Sequence, residues 1–237
     1  MKDMPNDLRE QTLALVNANA PANAQVNALI SAWLGSLDDE DLAGTAPQSL
    51  APVLQEGFAQ LAQRTGPAAQ IVTTRYSDGR GGVATALLIL NDDRPYLVDS
   101  FVMALRHERF NAAGVMNAVL PVRRDAGGMV VAVGEAGSPL ESIVLCLLND
   151  ELQFEELDKL TARLRMVAND AAIVQRDAVA MGDRLTAVAA SVAAGGTPEG
   201  QEAAAFLAWA KNEGFEPFGY AYYHSKPGAT ELERDIP

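Results

Sequence analysis

Cysteine, histidine and positive charge are scarce in this 237-residue chain. Cys146 is its single cysteine, so no disulfide can close within it. A lone thiol inside the apolar run Ile143 to Leu148 reads as a small core residue and fits a reducing compartment. The two histidines, His107 and His224, have no Cys or carboxylate at ligand spacing, so no metal site is expected. Lys and Arg number 18 against 31 Asp and Glu, a net charge of −13. That balance leaves no basic surface for nucleic acid or an anionic membrane, and neither is expected as a partner. No apolar stretch reaches the roughly 20 residues that cross a bilayer. The N-terminus also lacks the charged and apolar regions of a signal peptide, so a cytoplasmic protein is the default expectation.

What is present is periodicity, and it changes along the chain. Leu8, Leu13 and Val16 recur at helical spacing, followed by a second helical stripe of Val26, Leu29, Ile30, Trp33, Leu34 and Leu37. Asp38–Asp41 open a short third helix, and Pro47 to Thr65 reads as a fourth, closed by Gly66-Pro67. From Ala68 the pattern becomes β-branched. Strands are expected over 69–76, 83–90, 112–123, 129–134 and 140–148, with a helix from Pro95 to about His107. Pro121 predicts an edge or a bulge in its strand. Asp150 and Gln153 have the spacing of a capping box. Behind them Leu160, Leu164, Val167, Ala171, Val174, Ala178, Met181, Leu185, Val188 and Val192 form a heptad seam of about four and a half repeats. One continuous helix to Ala194 would reach about 65 Å, at about 1.5 Å per residue, and would need a further helix or a second subunit to pack its far end. A bend near Asn169-Asp170 or Gly182 is the alternative. A last helix follows Thr197-Pro198, a strand starts near Phe218, and the tail from Ser225 has no visible partner.

These readings give three parts: a helical segment over 1–67, an α+β domain with its long C-terminal helix over 68–194, and a helix and strand over 195–237 that begin a further, truncated unit. The α+β part has the β-α-β-β-α-β order of a ferredoxin-like fold, preceded by one extra strand. Such a sheet ordinarily carries two helices on one face and leaves the other free.

Few residues invite chemistry. Gly79-Arg80-Gly81-Gly82-Val83-Ala84 matches G-x-G-x-x-A, but a dinucleotide fingerprint must open a helix, and here an apolar β-branched run follows. Arg123-Arg124-Asp125 reads as a solvated strand end, with anion binding as the alternative. Trp209 with Phe206, Phe215 and Phe218 reads as core. The stretch Asn91 to Asp99 is the one place where binding is plausible. Asn91, Asp92 and Asp93 can cap backbone groups, and Pro95 suits a first helical position. The N–H groups of a helix start can receive a carboxylate, such as that of an amino acid. An ordinary capped turn is the plainer reading. No catalytic constellation accompanies it.

Asp93-Arg94-Pro95-Tyr96-Leu97-Val98-Asp99-Ser100 resembles the D-R-P-G-L-L-x-D signature of ACT domains, small regulatory modules that often bind amino acids at paired interfaces. Asn91 to Ser100, with Met103-Ala104-Leu105, is more specifically similar to the N-D-D-x-P-F-L-V-D-S-x-x-M-A-L segment of the large bacterial NAD-specific glutamate dehydrogenases. Val119 to Asp125 is similar to their H-P-V-x-x-V-x-R-D region. Ala205 to Trp209 and Phe215 to Tyr220 resemble their F-L-x-W and F-x-F-L-G-Y blocks. The likeness runs over roughly residues 70 to 223. It implies an ACT-like N-terminal regulatory or oligomerisation segment, with the dehydrogenase domain elsewhere. The chain shows no catalytic lysine motif and no nucleotide-binding βαβ unit, so it is expected to be non-catalytic and without cofactor, NAD serving the parent enzyme. Expected partners are the rest of that enzyme and further copies of the chain. The alternative is an amino-acid sensor binding its effector at Asn91, Asp93, Pro95, Tyr96 and Asp99. Tyr96 stands where most amino-acid-binding ACT modules have Gly, and its ring is expected to fill the space a ligand would take.

Overall fold

Alternation of apolar residues on both faces of the central strands dictates the architecture. In β2 (Val83–Asp92) and β5 (Leu140–Leu148) nearly every residue is buried. Ala86, Leu88, Leu90, Ile143, Leu145 and Leu147 point to one core, and Leu87, Ile89, Val144, Cys146 and Leu148 to another. A strand buried on both faces needs a layer on each side. The computed structural model describes residues 4–19, 23–77, 81–212, 215, 219, 221–226 and 228–233. The chain forms two compact units, 1–171 and 172–237.

The first unit is a five-stranded antiparallel sheet ordered β1-β2-β5-β3-β4, where β1 is Gln70–Ser77, β3 Ala112–Arg124 and β4 Val130–Val133. β2 and β3 run the same way with β5 between them, joined by α5 (Leu97–His107), which is the split β-α-β expected from the sequence. Leu97, Phe101, Ala104 and Leu105 of α5 pack on one face with Leu160, Leu164 and Ala168 of α6 (Phe154–Ala194). The other face is not free. α2 (Ala24–Ser36) and α4 (Pro47–Leu61) lie on it, with α1 (Met4–Asn19) and α3 (Asp39–Leu42) beside them. Trp33 and Phe58 are fully buried there, rings edge-on at 5.6 Å, and Trp33 Nε1 donates to the Ile143 carbonyl at 2.8 Å. At Gly57 a Cβ would come within 2.6 Å of Leu88 Cδ1, so the missing side chain lets α4 sit close on the sheet. The helical segment and the sheet thus share one core.

Two topological details differ from expectation. The extra strand β1 pairs along β2 from Gln70↔Leu90 to Ser77↔Val83 and takes the edge position that the strand after the second helix would fill. The last strand does not join this sheet. β6 (Tyr222–Lys226) pairs with β7 (Ala229–Glu233) in a hairpin of the second unit, so the tail does have a partner. The β1–β2 pairing also makes the Gly79–Gly82 stretch a hairpin connection, although Gly79 and Arg80 themselves lie outside the described residues.

α6 starts four residues beyond Asp150. The Asp150 carbonyl and the Leu152 N–H bond to Thr85 on β2, and the Gln153 N–H donates to Glu156 at the helix start. The helix then runs unbroken to Ala194. In the second unit its seam residues Val174, Ala178, Met181, Leu185, Val188 and Val192 are only half-buried. α7 (Pro198–Asn212) lies against it, with Lys211 Nζ 2.6 Å from Thr186 Oγ1. Trp209 contacts both Phe206 and Phe215, but each of the three is about half exposed rather than core. Phe218 lies outside the described residues.

Candidate functional site

The junction that the sequence singles out lies at one end of the sheet. β2 ends at Asp92, residues 93–96 turn the chain, and α5 begins at Leu97. Pro95 is therefore in the turn and not at the first helical position. Tyr96 is the N-cap, at φ 61° and ψ 6°, and its side chain makes no capping bond. Left-handed backbone of this kind costs a side-chain-bearing residue about 1–2 kcal/mol. A Gly at this position is thus explained by conformation as well as by ligand approach. Tyr96 is 56% exposed. No side-chain hydrogen bond from Asn91, Asp92 or Asp93 reaches the start of α5. Asn91 is buried, with its amide Nδ2 lacking a partner; Asp93, Pro95 and Asp99 are exposed.

What the fold gathers at this sheet end is a lattice of arginines and carboxylates. Arg64, just beyond α4, has a buried guanidinium whose Nη1 lies 2.7 Å from Asp92 Oδ1 and 3.2 Å from Glu141 Oε1. Arg124, at the end of β3, grips Glu141 with two bonds of 2.8 and 2.9 Å. Its other N–H groups donate to the carbonyls of Leu61, Ala62 and Gly128. The first two close α4, where a cation also meets the negative end of the helix dipole. Arg94 adds a 2.9 Å bond to Asp92. Arg123, by contrast, is exposed and pairs with exposed Glu135, whose carboxyl it holds below the usual range by hydrogen bonding. The expected solvated strand end is therefore true of Arg123 only. Arg124 staples α4, β5 and the β3–β4 turn together.

An open groove of about 600 Å³ lies over this lattice, lined among others by Arg64, Asp92, Arg123, Arg124 and Glu141. None of Asn91, Asp93, Pro95, Tyr96 and Asp99 lines it. The lattice carboxylates already accept from arginine, so none is poised as a general base. Cys146 is buried, and burial pushes its thiol up to about 12, far from a reactive thiolate. His107 is in the last turn of α5, as expected, 3.5 Å from Glu108. The side chain of His224 lies outside the described residues. No group of three or more His, Cys, Asp or Glu among the described residues could hold a metal ion. No described helix is long and apolar enough to cross a membrane.

The model of one protein family, described as glutamate dehydrogenase, ACT1 domain, matches residues 29–164. That span takes in α4, the whole five-stranded sheet, α5 and the start of α6. The chain belongs to the glutamate dehydrogenase ACT1 domain family. A comparison with curated proteins finds no significant match. In this ACT1 domain the match begins inside α2, at the Leu29 and Ile30 that pack under the sheet. The helical layer is thus partly inside the family's own boundary. Three lattice arginines, Arg64, Arg94 and Arg124, also lie within it. The sequence offered one weak signal for Arg124, a charged residue ending an otherwise apolar strand, and none for Arg64.

Proposed function

We propose that this chain is the N-terminal regulatory and assembly segment of a large NAD-dependent glutamate dehydrogenase, with no active site of its own. The parent reaction would take L-glutamate and NAD to 2-oxoglutarate, ammonium and NADH in another part of that enzyme, where NAD also binds. The family match over the sheet supports the link to glutamate dehydrogenase. The observation that carries the assembly role is the outer edge of β3. β5 pairs along residues 112–121 on one side, whereas β4 begins pairing on the other only at Val122. The ten residues Ala112 to Pro121 include no charged side chain, and Val119 is 38% exposed. Soluble proteins usually blunt such an edge with charge, so an uncharged one is suited to pairing with another chain or domain.

Light scattering on the 237-residue chain tests this. An oligomer that Val119→Lys shifts toward monomer is the expected result, and a strict monomer would remove the assembly role. Glutamate-dependent reduction of NAD by the chain alone would overturn the reading altogether. Calorimetry with a panel of amino acids addresses the sensor alternative. Saturable binding lost in Asp93→Ala or Asp99→Ala would replace assembly with effector recognition at the β2–α5 junction.

A further inference from the structure

Arg64 separates two cavities. On one side is the groove over the arginine–carboxylate lattice; on the other is a smaller cavity of about 250 Å³, lined by Arg64, Thr65, Ala68, Ala69, Gln70, Ile71 and Arg165. The two differ in charge. The larger contains Asp92, Asp125 and Glu141, but no carboxylate lines the smaller, which has two guanidinium groups instead. In a chain of net charge −13 that is an unusual local balance. Arg165, on the part of α6 that belongs to the first unit, is exposed and makes no ion pair or hydrogen bond among the described residues. The guanidinium of Arg64 is nine-tenths buried and only partly satisfied. Nη1 serves Asp92 and Glu141, Nη2 makes a single long bond of 3.3 Å to the Pro67 carbonyl, and Nε has no partner. A buried donor left without an acceptor is unfavourable.

We propose that this cavity is a binding site for a small oxyanion, a carboxylate or an inorganic phosphate, held between Arg64 and Arg165 beneath the loop joining α4 to β1. The planar donor forks of the two arginines match the oxygen pairs of either anion. Arg165 supplies the outer contact, and Arg64 the inner one through its under-used Nη2 and Nε edge. The Thr65 hydroxyl, which has no intramolecular partner among the described residues, can donate to a third oxygen. The proposal does not depend on the assembly role: an anion can bind here whether or not the β3 edge pairs.

Thermal unfolding of the 237-residue chain in inorganic phosphate, in succinate and in chloride, all at equal ionic strength, tests the site. The expected result is a saturable rise in Tm with phosphate, succinate or both, beyond that in chloride, and at least tenfold weaker in Arg165→Ala. Phosphate alone acting assigns a tetrahedral oxyanion; succinate alone assigns a carboxylate. Arg165 is exposed, so the variant should match the wild-type Tm in chloride, which separates lost binding from lost folding. No anion-specific rise, or the same rise in Arg165→Ala, overturns the proposal.

Discussion

Gly128→Ala should be the most damaging single-methyl change at this end of the sheet. Gly128 closes the β3–β4 turn at φ 80°, and an added Cβ would lie 1.8 Å from the Arg64 carbonyl oxygen. Backbone separation cannot relieve that overlap cheaply. The Gly128 carbonyl accepts from the Arg64 N–H at 3.0 Å and from Arg124 Nη1 at 2.9 Å. The neighbouring Val130 N–H bonds to the Ala62 carbonyl at 2.9 Å. Moving the turn away therefore breaks bonds to two arginines. Left-handed backbone in a non-glycine residue costs about 1 kcal/mol or more, and each lost partner of a buried group about 1–3 kcal/mol. A total near 4 kcal/mol follows from those two terms, or roughly 10 °C in Tm for a unit of this size. Near-UV circular dichroism in a Trp209→Phe background reads the change, because buried Trp33 then reports on the first unit alone. Gly127→Ala is the control: its φ is not positive, and its nearest contact is the Asp125 side chain at 3.3 Å. A Gly128→Ala protein melting within about 2 °C of wild type would refute this account of the turn.

Glu141→Gln removes the shared partner of two buried guanidinium groups and should destabilise the chain by about 3 kcal/mol, measured by urea unfolding. An unchanged midpoint would mean that water or Asp92 takes over. Tyr96→Gly relieves about 1–2 kcal/mol of left-handed strain while adding about 0.5–1 kcal/mol of freedom to the unfolded chain, so Tm should hold or rise slightly. A fall of several degrees would show that the ring packs after all. Cys146 should resist Ellman's reagent in the native protein and react only on unfolding. With its thiol raised to about 12 from 9.0, the folded state keeps a proton that the unfolded state sheds first. That stabilisation is complete below about pH 9 and is lost as pH rises toward 12; a Cys146→Ala variant should lack that decline.

The elements of the first unit were legible because each follows from local spacing. β5 starts at Leu140 and stops at Leu148, as the strand expected there does, and the split β-α-β follows from element order. The buried charges were not legible. Arg124 and Arg123 are adjacent and chemically identical, yet one is locked to Glu141 and three carbonyls while the other pairs with Glu135 in solvent. Only alternation along β3 separates them, and all their partners but Gly128 lie 12 to 63 residues away in sequence. Arg64 had no pattern at all to mark it. At the junction, the residues Asn91 to Asp99 looked like a cap because Asx residues and proline favour helix starts. Asp92 was instead drawn to two arginines, since a charge-assisted bond is stronger than a capping bond to an N–H that water can also serve.

The long helix was legible as a seam, but the reason it can be long lies in the sheet. In a β-α-β-β-α-β module the chain must leave its second helix and return to pair beside the first strand, which limits that helix to about the length of the sheet. Here β1 has already taken that position, with eight paired residues from Gln70 to Ser77. No slot beside β2 remains for a returning strand, so α6 is not required to stop at the sheet's end, and it continues through 41 residues. The same substitution explains the fate of the last strands. With the position beside β2 taken, β6 satisfies its backbone by pairing with β7. A single early strand thus removes the need for the helix to end at the sheet and for a later strand to pair beside β2. Local periodicity cannot reveal this, because β1 would read the same whichever edge it filled.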